Sequence, residues 1–447
     1  ALRWCYREVH YMGRRHMPEV RAAFLFGNHP NDLPDVLAGF FVTPRPVRYV
    51  ATISATTLPL ATATYRGLGV IPVTRVRDVR KMRASGIDLR EVNRDAFTAV
   101  RRALASGEVV GAFPEGGVHD SPFLARFHSG VAKMALNGID TGANDDVIMV
   151  PFGIQYEAPR TPRSDVVVEI GASQSLREWA ATRHQASEAV SASALAHDMH
   201  ERLTAVTRNS VTWADAEARD RLVAAVAALS ARAGEPILVT AARVQRRCSA
   251  LVEPAETPRA DDNSATWRAL AEPLAQAVAH AGGIPTSARD TARLLDAAGV
   301  ANPQAKWPST GWMLIAAIPA MLGLILLGPI MRAVWWLGRE TATVRTDYMA
   351  RAILPGLHLI LLWHLVVGAS FALGFRALSL SGWWAIPVVW LLPRLGDVGL
   401  TWRDALRAQR LRYRVRTRPA AEREAIHVAA ANLRAAWAAL SISSEQS

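Results

Sequence analysis

The chain has 447 residues, half of them hydrophobic, and a formal net charge of +12 that comes mostly from arginine. Its length allows two or three domains, and its basic balance suits an anionic surface such as nucleic acid or phospholipid headgroups. The two cysteines, Cys5 and Cys248, exclude a disulfide framework and cysteine metal spacing, and they favour a reducing compartment. No basic segment followed by an apolar stretch opens the sequence, so we expect no signal peptide.

Residues 1–175 alternate between short apolar runs and stretches with helical spacing, which is typical of an α/β domain. The helical patterns include Arg94–Ala105 and Gly130–Leu136. The strand-like runs are Ala22–Phe26, Val70–Val73, Val109–Phe113, Val147–Phe152 and Val166–Ile170. Residues 176–305 are rich in alanine and arginine with helical spacing, and they predict a helical region.

Long uncharged apolar segments follow the helical region. Trp307–Met331 and Ala352–Phe375 are each long enough to cross a bilayer. Ala377–Pro393 is shorter and could span obliquely, re-enter the membrane or lie at its interface. Tryptophans crowd the ends of these runs, as in an interfacial aromatic belt. We therefore predict apolar membrane-associated helices over residues 306–395; a very apolar helical core of a soluble domain is the alternative.

The last segment, residues 396–447, predicts a basic helical tail. Its first part carries a run of arginines: Arg403, Arg407, Arg410, Arg412, Arg414, Arg416 and Arg418. Arginine next to an apolar segment is typical of a cytoplasmic, lipid-facing end. The loop between the two long apolar runs is also basic, so the orientation stays open.

The stretch FLFGNHPNDLPDVL, residues 24–37, places His29 and Asp35 in a proline-rich turn directly after a strand. A neutral imidazole can take a proton from an alcohol, and a carboxylate on its other nitrogen fixes the tautomer and stabilises the imidazolium. Such a turn at a sheet edge is where α/β proteins place ligand sites. Ordinary turn chemistry with a solvated histidine is the alternative for this stretch alone.

Three further stretches carry candidate residues. In GLGVIPVTRVRD the strand-like run delivers Arg75, whose fork of donors suits phosphate oxygens; a surface salt bridge to Asp78 is the alternative. In VVGAFPEGGVHDSP a strand runs into Phe113, Pro114, Glu115, Gly116 and Gly117. The two glycines could bring backbone N–H groups to an anion, or form a plain turn. In VIMVPFGIQY, Pro151 interrupts an apolar strand that could form an apolar wall, or be an edge or bulged core strand.

In order and spacing the four stretches resemble the glycerolipid acyltransferase superfamily, typified by bacterial 1-acylglycerol-3-phosphate acyltransferase. The matching residues are Asn28-His29 with Asp35, the run Gly69–Arg75, Phe113-Pro114-Glu115-Gly116, and Val150-Pro151. The resemblance covers residues 1–175. The helical region and apolar hairpin are similar to the branch that includes fungal glycerol-3-phosphate and dihydroxyacetone-phosphate acyltransferases.

Some positions depart from the family pattern. The aspartate most often lies five residues after the histidine, where this chain has Pro34, and Asp35 is six residues on. The same branch often has this longer spacing, so we expect Asp35 to be the partner and keep Asp32 as the alternative. Val118 replaces a usual serine or threonine and His128 replaces a common lysine, which makes an unusual acceptor or weaker acceptor binding possible.

The resemblance implies transfer of an acyl group from acyl-CoA or acyl-carrier protein to a hydroxyl of lysophosphatidate or a related glycerol phosphate. It implies His29 as general base, oriented by Asp35, with Arg75 on the acceptor phosphate. Asn28 and the turn Phe113–Gly117 would contribute to substrate binding, with Glu115 shaping the phosphate pocket, and Pro151 would contribute to the acyl side. No metal or organic cofactor is implied.

The partners implied by the resemblance are membrane lipids, the phosphorylated acceptor and the thioester donor, without nucleic acid. The location implied is a membrane, with the site facing the cytoplasm, as at a bacterial inner membrane or its equivalent.

Three alternatives stay open at this point. The first is the same chemistry on another acceptor, such as glycerol 3-phosphate, dihydroxyacetone phosphate or an aminolipid. The second is a non-catalytic membrane lipid-binding or scaffold protein, which Val118 and His128 favour and the intact His29 and Asp35 disfavour. The third is an RNA-binding basic protein, although the sequence has no glycine-aromatic RNA-binding signature.

Overall fold

The computed structural model describes residues 6–19, 21–52, 67–74, 89–138, 146–157, 163–187, 189–232, 235–250, 263–282, 288–300, 308–342 and 348–443. Within them an N-terminal α/β domain is followed by a helical region and by long apolar helices. This arrangement confirms the fold class expected from the sequence.

The α/β domain is built on a sheet of eight described strands. The strands are β1 (Tyr6–Met12), β2 (Ala23–Gly27), β3 (Val47–Thr52), β4 (Ile71–Val73), β5 (Val109–Ala112), β6 (Ile148–Tyr156), β7 (Ser164–Ile170) and β8 (Gln174–Ser175). Their order is β1-β7-β6-β2-β5-β3-β4, with β8 beside the start of β6. Strand β6 pairs antiparallel with β7 and β8, and the other pairs are parallel. The carboxyl ends of β5, β2 and β6 therefore meet at one edge of the sheet.

Helices cover the sheet and continue beyond it. Those of the α/β domain are α1 (Leu33–Gly39), α2 (Leu89–Ala105), α3 (Ser129–Leu136), α4 (Leu176–Gln185) and α5 (Ala192–Thr204). The helical region contains α6 (Trp213–Ser230), α7 (Ile237–Ala250), α8 (Asn263–Gly282) and α9 (Ala288–Ala297). The remaining described helices are α10 (Thr310–Ile315), α11 (Ala317–Thr341), α12 (Tyr348–Ala377), α13 (Ala385–Arg416) and α14 (Ala420–Ser443).

Two apolar cores lie on opposite faces of the sheet. Because side chains alternate along a strand, Phe24 and Phe26 of β2 enter one core and Leu25 enters the other. Helices α2 to α5 close the first core, and α1 with the β1 edge closes the second. A strand buried on both faces reads as a continuous apolar run, which explains the pattern of residues 22–26.

A separate core holds the helical region together. It joins α6 to α9 with the end of α13 and with α14, through residues such as Leu222, Trp267, Val415 and Leu433. Helix α13 is continuous from the apolar segment into the basic one, so it runs through residues 395 and 396. The basic tail thus packs back on the helical region.

The long apolar helices pack tightly against each other. A Cβ atom at Gly323 of α11 would lie 2.0 Å from the carbonyl oxygen of Leu395 in α13, so these two backbones touch. Small residues at such contacts are common between membrane helices. Trp335 of α11 and Ile353 of α12 pack against the core under α1, which sets one end of the apolar helices beside the turn that follows β2.

Candidate active site

A histidine–aspartate pair lies where β2 leads into α1. His29 follows the end of β2, and Asp35 lies in the first turn of α1. Nδ1 of His29 is 2.9 Å from Oδ2 of Asp35, whose side chain is completely buried, while 13% of the His29 side chain is exposed. A carboxylate at Nδ1 favours the tautomer with the proton on Nδ1, which leaves a lone pair on Nε2.

Further donors hold the buried carboxylate of Asp35. The amide of Asn31 donates to Oδ2 at 2.6 Å, and the hydroxyl of Tyr156 donates to Oδ1 at 2.6 Å. The side chain of Asn31 in turn donates to the Tyr6 hydroxyl at 3.0 Å. Burial raises the pKa of Asp35, and the bonds from His29, Tyr156 and Asn31 oppose that rise. Burying a charge is costly unless hydrogen bonds compensate for it, so these donors stabilise the carboxylate and fix it in place.

The pKa of His29 is raised above its ordinary value of 6.5. Burial by itself lowers this pKa, but the hydrogen bond and the charge of Asp35 outweigh burial, helped by the charges of Asp32 and Glu115. Asp32 is 63% exposed and its Oδ1 lies 3.9 Å from Nε2, too far for a hydrogen bond. Of the two candidate partners, Asp35 is the one that orients the imidazole.

Glu115 connects three segments around His29. Its Oε1 accepts a hydrogen bond from the backbone amide of His29 at 2.7 Å. Its Oε2 accepts from the amide of Ala125 at 3.0 Å and lies 2.5 Å from Nε2 of His119. The nearly buried carboxylate therefore fixes the end of β2 to the turn after β5 and to the following loop.

Phe113 and Asn28 position the histidine from two further directions. The Phe113 ring stacks on the His29 ring with centroids 4.2 Å apart and an interplanar angle of 11°. The Asn28 amide donates to the carbonyl of Ile154 at 3.0 Å and accepts from its amide at 2.6 Å. These contacts orient His29 and tie β2 to β6, and binding of substrate by either residue stays a prediction.

The turn after β5 needs a glycine. Gly116 has φ +70°, and a Cβ there would lie 3.0 Å from Cδ2 of His128. The Gly116 amide donates to the Phe113 carbonyl at 3.1 Å, and the Pro114 carbonyl accepts from the His128 amide at 3.2 Å. Gly117 follows in the same turn and is partly exposed. Contact of this turn with an acceptor phosphate stays a prediction.

The described structure does not place Pro151 in contact with His29. Pro151 lies in the middle of β6, paired in register with Phe26, and its ring faces Gly171. Its contribution to an acyl site stays a prediction. Arg75 lies outside the described residues.

A cleft of about 160 Å³ is lined by residues that flank the pair or bond to it, whereas His29 and Asp35 do not line it themselves. Asn28, Glu115 and Tyr156 line it from the sheet edge, and Arg208 and Arg219 line it from the helical region. Sequence reasoning missed Tyr156 and both arginines because their neighbours lie far away in the chain. One usable signal was the tyrosine that closes the apolar strand VIMVPFGIQY.

The pair can supply general-base chemistry toward an alcohol, because Nε2 carries the lone pair and Asp35 stabilises the imidazolium that forms. Among the described residues, no group of three or more His, Cys, Asp and Glu side chains could hold a metal ion. The expectation that the reaction needs no cofactor stays a prediction.

Comparisons with known proteins converge on one family. The family model described as Acyltransferase matches residues 8–155. Glycerol-3-phosphate O-acyltransferase 1 of Saccharomyces cerevisiae is 44% identical over 68 residues, which are 15% of this chain and 9% of that protein. An uncharacterized acyltransferase of Schizosaccharomyces pombe is 36% identical over 80 residues, 18% of this chain and 12% of that protein. The matches thus span about a tenth of these relatives.

A solved structure is also similar. The 1-acyl-sn-glycerophosphate acyltransferase PlsC of Thermotoga maritima is 16% identical, with a TM-score of 0.30, over 44% of this chain and 71% of that one.

Proposed function

Because the chain belongs to the glycerolipid acyltransferase superfamily, we propose that it moves an acyl group from a thioester donor to a hydroxyl of a glycerol phosphate. The donor is acyl-CoA or acyl-carrier protein. The observation that carries the proposal is the hydrogen bond between His29 and the fully buried Asp35. That pair is the part of the site that an alcohol nucleophile requires.

In the proposed mechanism, Nε2 of His29 takes the proton of the acceptor hydroxyl. The hydroxyl oxygen attacks the thioester carbonyl carbon, a C–O bond forms, and the C–S bond then breaks. The leaving thiolate then takes this proton from the imidazolium, which Asp35 stabilises between the two steps. No acyl-enzyme intermediate is needed. Arg75 is proposed to hold the acceptor phosphate.

The acceptor is proposed to be lysophosphatidate or a related glycerol phosphate. The names of two Saccharomyces cerevisiae relatives, both glycerol-3-phosphate O-acyltransferases, favour glycerol 3-phosphate among these. Because the matched stretches are short, the relatives support only the class of acceptor, a glycerol phosphate. The assay below identifies which compound is acylated.

The enzyme is proposed to work at a membrane. Two helical segments, Ala317–Thr341 and His358–Ala377, are long and apolar enough to cross one. Only 28% and 6% of their most apolar stretches are buried, whereas a core helix of a soluble protein buries most of its apolar surface. A cytoplasmic site is proposed because the arginine-rich part of α13 favours that side.

The test is acylation by the purified protein in detergent. Glycerol 3-phosphate, lysophosphatidate and dihydroxyacetone phosphate are each offered with acyl-CoA and with acyl-carrier protein. We expect phosphorylated acceptors to be acylated and glycerol to be left unchanged. Absence of turnover with every pair, together with lipid binding, would favour a non-catalytic membrane protein.

A further inference from the structure

The far wall of the cleft comes from a part of the chain that lies beyond the family match. The match ends at residue 155, whereas this wall is formed by the segment after α5 and the first turns of α6, including Arg208, Ser210 and Arg219. The opposite wall carries Asn28, which precedes the catalytic histidine, and Glu115, which accepts from its backbone amide. The far wall therefore adds two arginines to a cleft that is lined by immediate neighbours of the proposed catalytic pair.

Arg219 is buried but incompletely bonded. It is 7% exposed, and one terminal nitrogen donates to the Asn209 carbonyl and to the Ser210 hydroxyl. Its Nε is buried and has no hydrogen-bond partner. An unsatisfied buried donor on a charged group is costly. Because Arg219 also lines the cleft, its guanidinium is suited to an acceptor oxygen from a ligand.

The aspartates on the helix of Arg219 are paired with other arginines. Oδ1 of Asp220 is 3.1 Å from a terminal nitrogen of Arg208. Oδ1 of Asp215 is 2.9 Å from a terminal nitrogen of Arg268. Within the described part of the chain, Arg219 makes no ion pair with a carboxylate.

The two glutamates that line the cleft, Glu115 and Glu157, do not pair with Arg219 among the described contacts. Glu115 is paired with His119. Burial, reinforced by the charge of Asp165, raises the pKa of Glu157 to about 7, so this carboxyl is partly protonated at neutral pH. Arg219 therefore keeps a positive charge at the cleft that an anionic ligand could neutralise.

We propose that Arg219, assisted by Arg208, forms a phosphate subsite in this cleft for a substrate of the acyl transfer. An arginine fork suits phosphate oxygens, and Ser210 adds a hydroxyl donor. The assignment to a substrate rests on the proposed function. The phosphate belongs either to the glycerol phosphate acceptor or to the CoA part of the donor.

The experiment measures equilibrium binding to the full chain in detergent, with no acyl donor present. Glycerol 3-phosphate and free CoA are titrated separately, and glycerol is the phosphate-free control. The variants are Arg219→Gln and Arg208→Gln; Arg221→Gln, on the exposed face of α6, is the matched control. Loss of a charge-assisted hydrogen bond should weaken binding roughly tenfold or more in Arg219→Gln, with no change in Arg221→Gln.

Binding of glycerol 3-phosphate alone that depends on Arg219 places the acceptor phosphate here, and Arg219-dependent binding of CoA alone places the donor phosphate here. Absence of binding by both ligands, or equal binding by wild type and both cleft variants, overturns the subsite. If Arg219→Gln does not fold, the partly exposed Arg208 decides by the same criterion. Arg219-dependent binding with turnover that does not need His29 refutes only the proposed function.

Discussion

Replacing Asp35 by asparagine tests the proposed base most informatively. In the wild type, Oδ2 of Asp35 accepts from Asn31 and faces Nδ1 of His29, and Oδ1 accepts from Tyr156. Asparagine has the same shape but no charge, and it offers only one acceptor oxygen for these donors. The imidazolium that forms on proton transfer then loses its counter-charge, and an NH₂ group facing Nδ1 would select the wrong tautomer.

The expected loss in kcat is about 10²–10⁴-fold, which corresponds to about 2.7–5.4 kcal/mol at 1.36 kcal/mol per factor of ten. The pH dependence changes as well. In the wild type the pKa of His29 is raised, so kcat/KM should fall as pH drops through a value above 6.5. In Asp35→Asn the bond and charge that raise the His29 pKa are lost, while burial still lowers it. The acid limb of the kcat/KM profile should therefore move to lower pH.

The assay is kcat/KM against pH for both proteins, with near-UV circular dichroism to show that the variant is folded. A variant that keeps the wild-type rate, or a slow variant whose acid limb stays in place, would refute the role assigned to Asp35.

Three further substitutions follow from the structure. Glu115→Gln puts an NH₂ group against at least one of the donors that Glu115 now accepts from, so unfolding free energy should fall by about 1–3 kcal/mol in chemical denaturation. Gly116→Ala forces an alanine to φ +70° and should destabilise by about 1–2 kcal/mol, whereas Gly130→Ala, with open space around it, should not; equal midpoints would contradict this. Leu365→Arg on the exposed face of α12 should cost about 2.5–3.5 kcal/mol of membrane insertion, read as reduced liposome flotation at high salt.

Local patterns in the sequence predicted much of the sheet edge that carries His29 and Asp35. The continuous apolar run at residues 22–26 predicted a buried strand. The choice of Asp35 over Asp32 came from the family resemblance, because one branch often has the longer histidine–aspartate spacing. Strands β2 and β5 are parallel neighbours, so their carboxyl ends lie together, and so do the turns that follow them.

Contacts between distant segments could not be predicted in this way. The bond from Tyr156 to Asp35 joins residues 121 positions apart, and the Asn28 bonds to Ile154 span 126. The sequence around Tyr156 or Asn28 does not indicate which distant residue each one bonds to. Arg208 and Arg219 of the far wall could not be predicted for the same reason, because Arg219 lies on a helix whose position depends on tertiary packing.

The most direct test of His29 as the general base compares wild type, His29→Ala and His184→Ala in the acylation assay with glycerol 3-phosphate or lysophosphatidate. His184 is an exposed histidine at the end of α4, so its variant is the control for a lost imidazole. We expect a loss of roughly 10²-fold or more in His29→Ala and an unchanged rate in His184→Ala. Full turnover by folded His29→Ala would contradict the proposal that His29 is the general base.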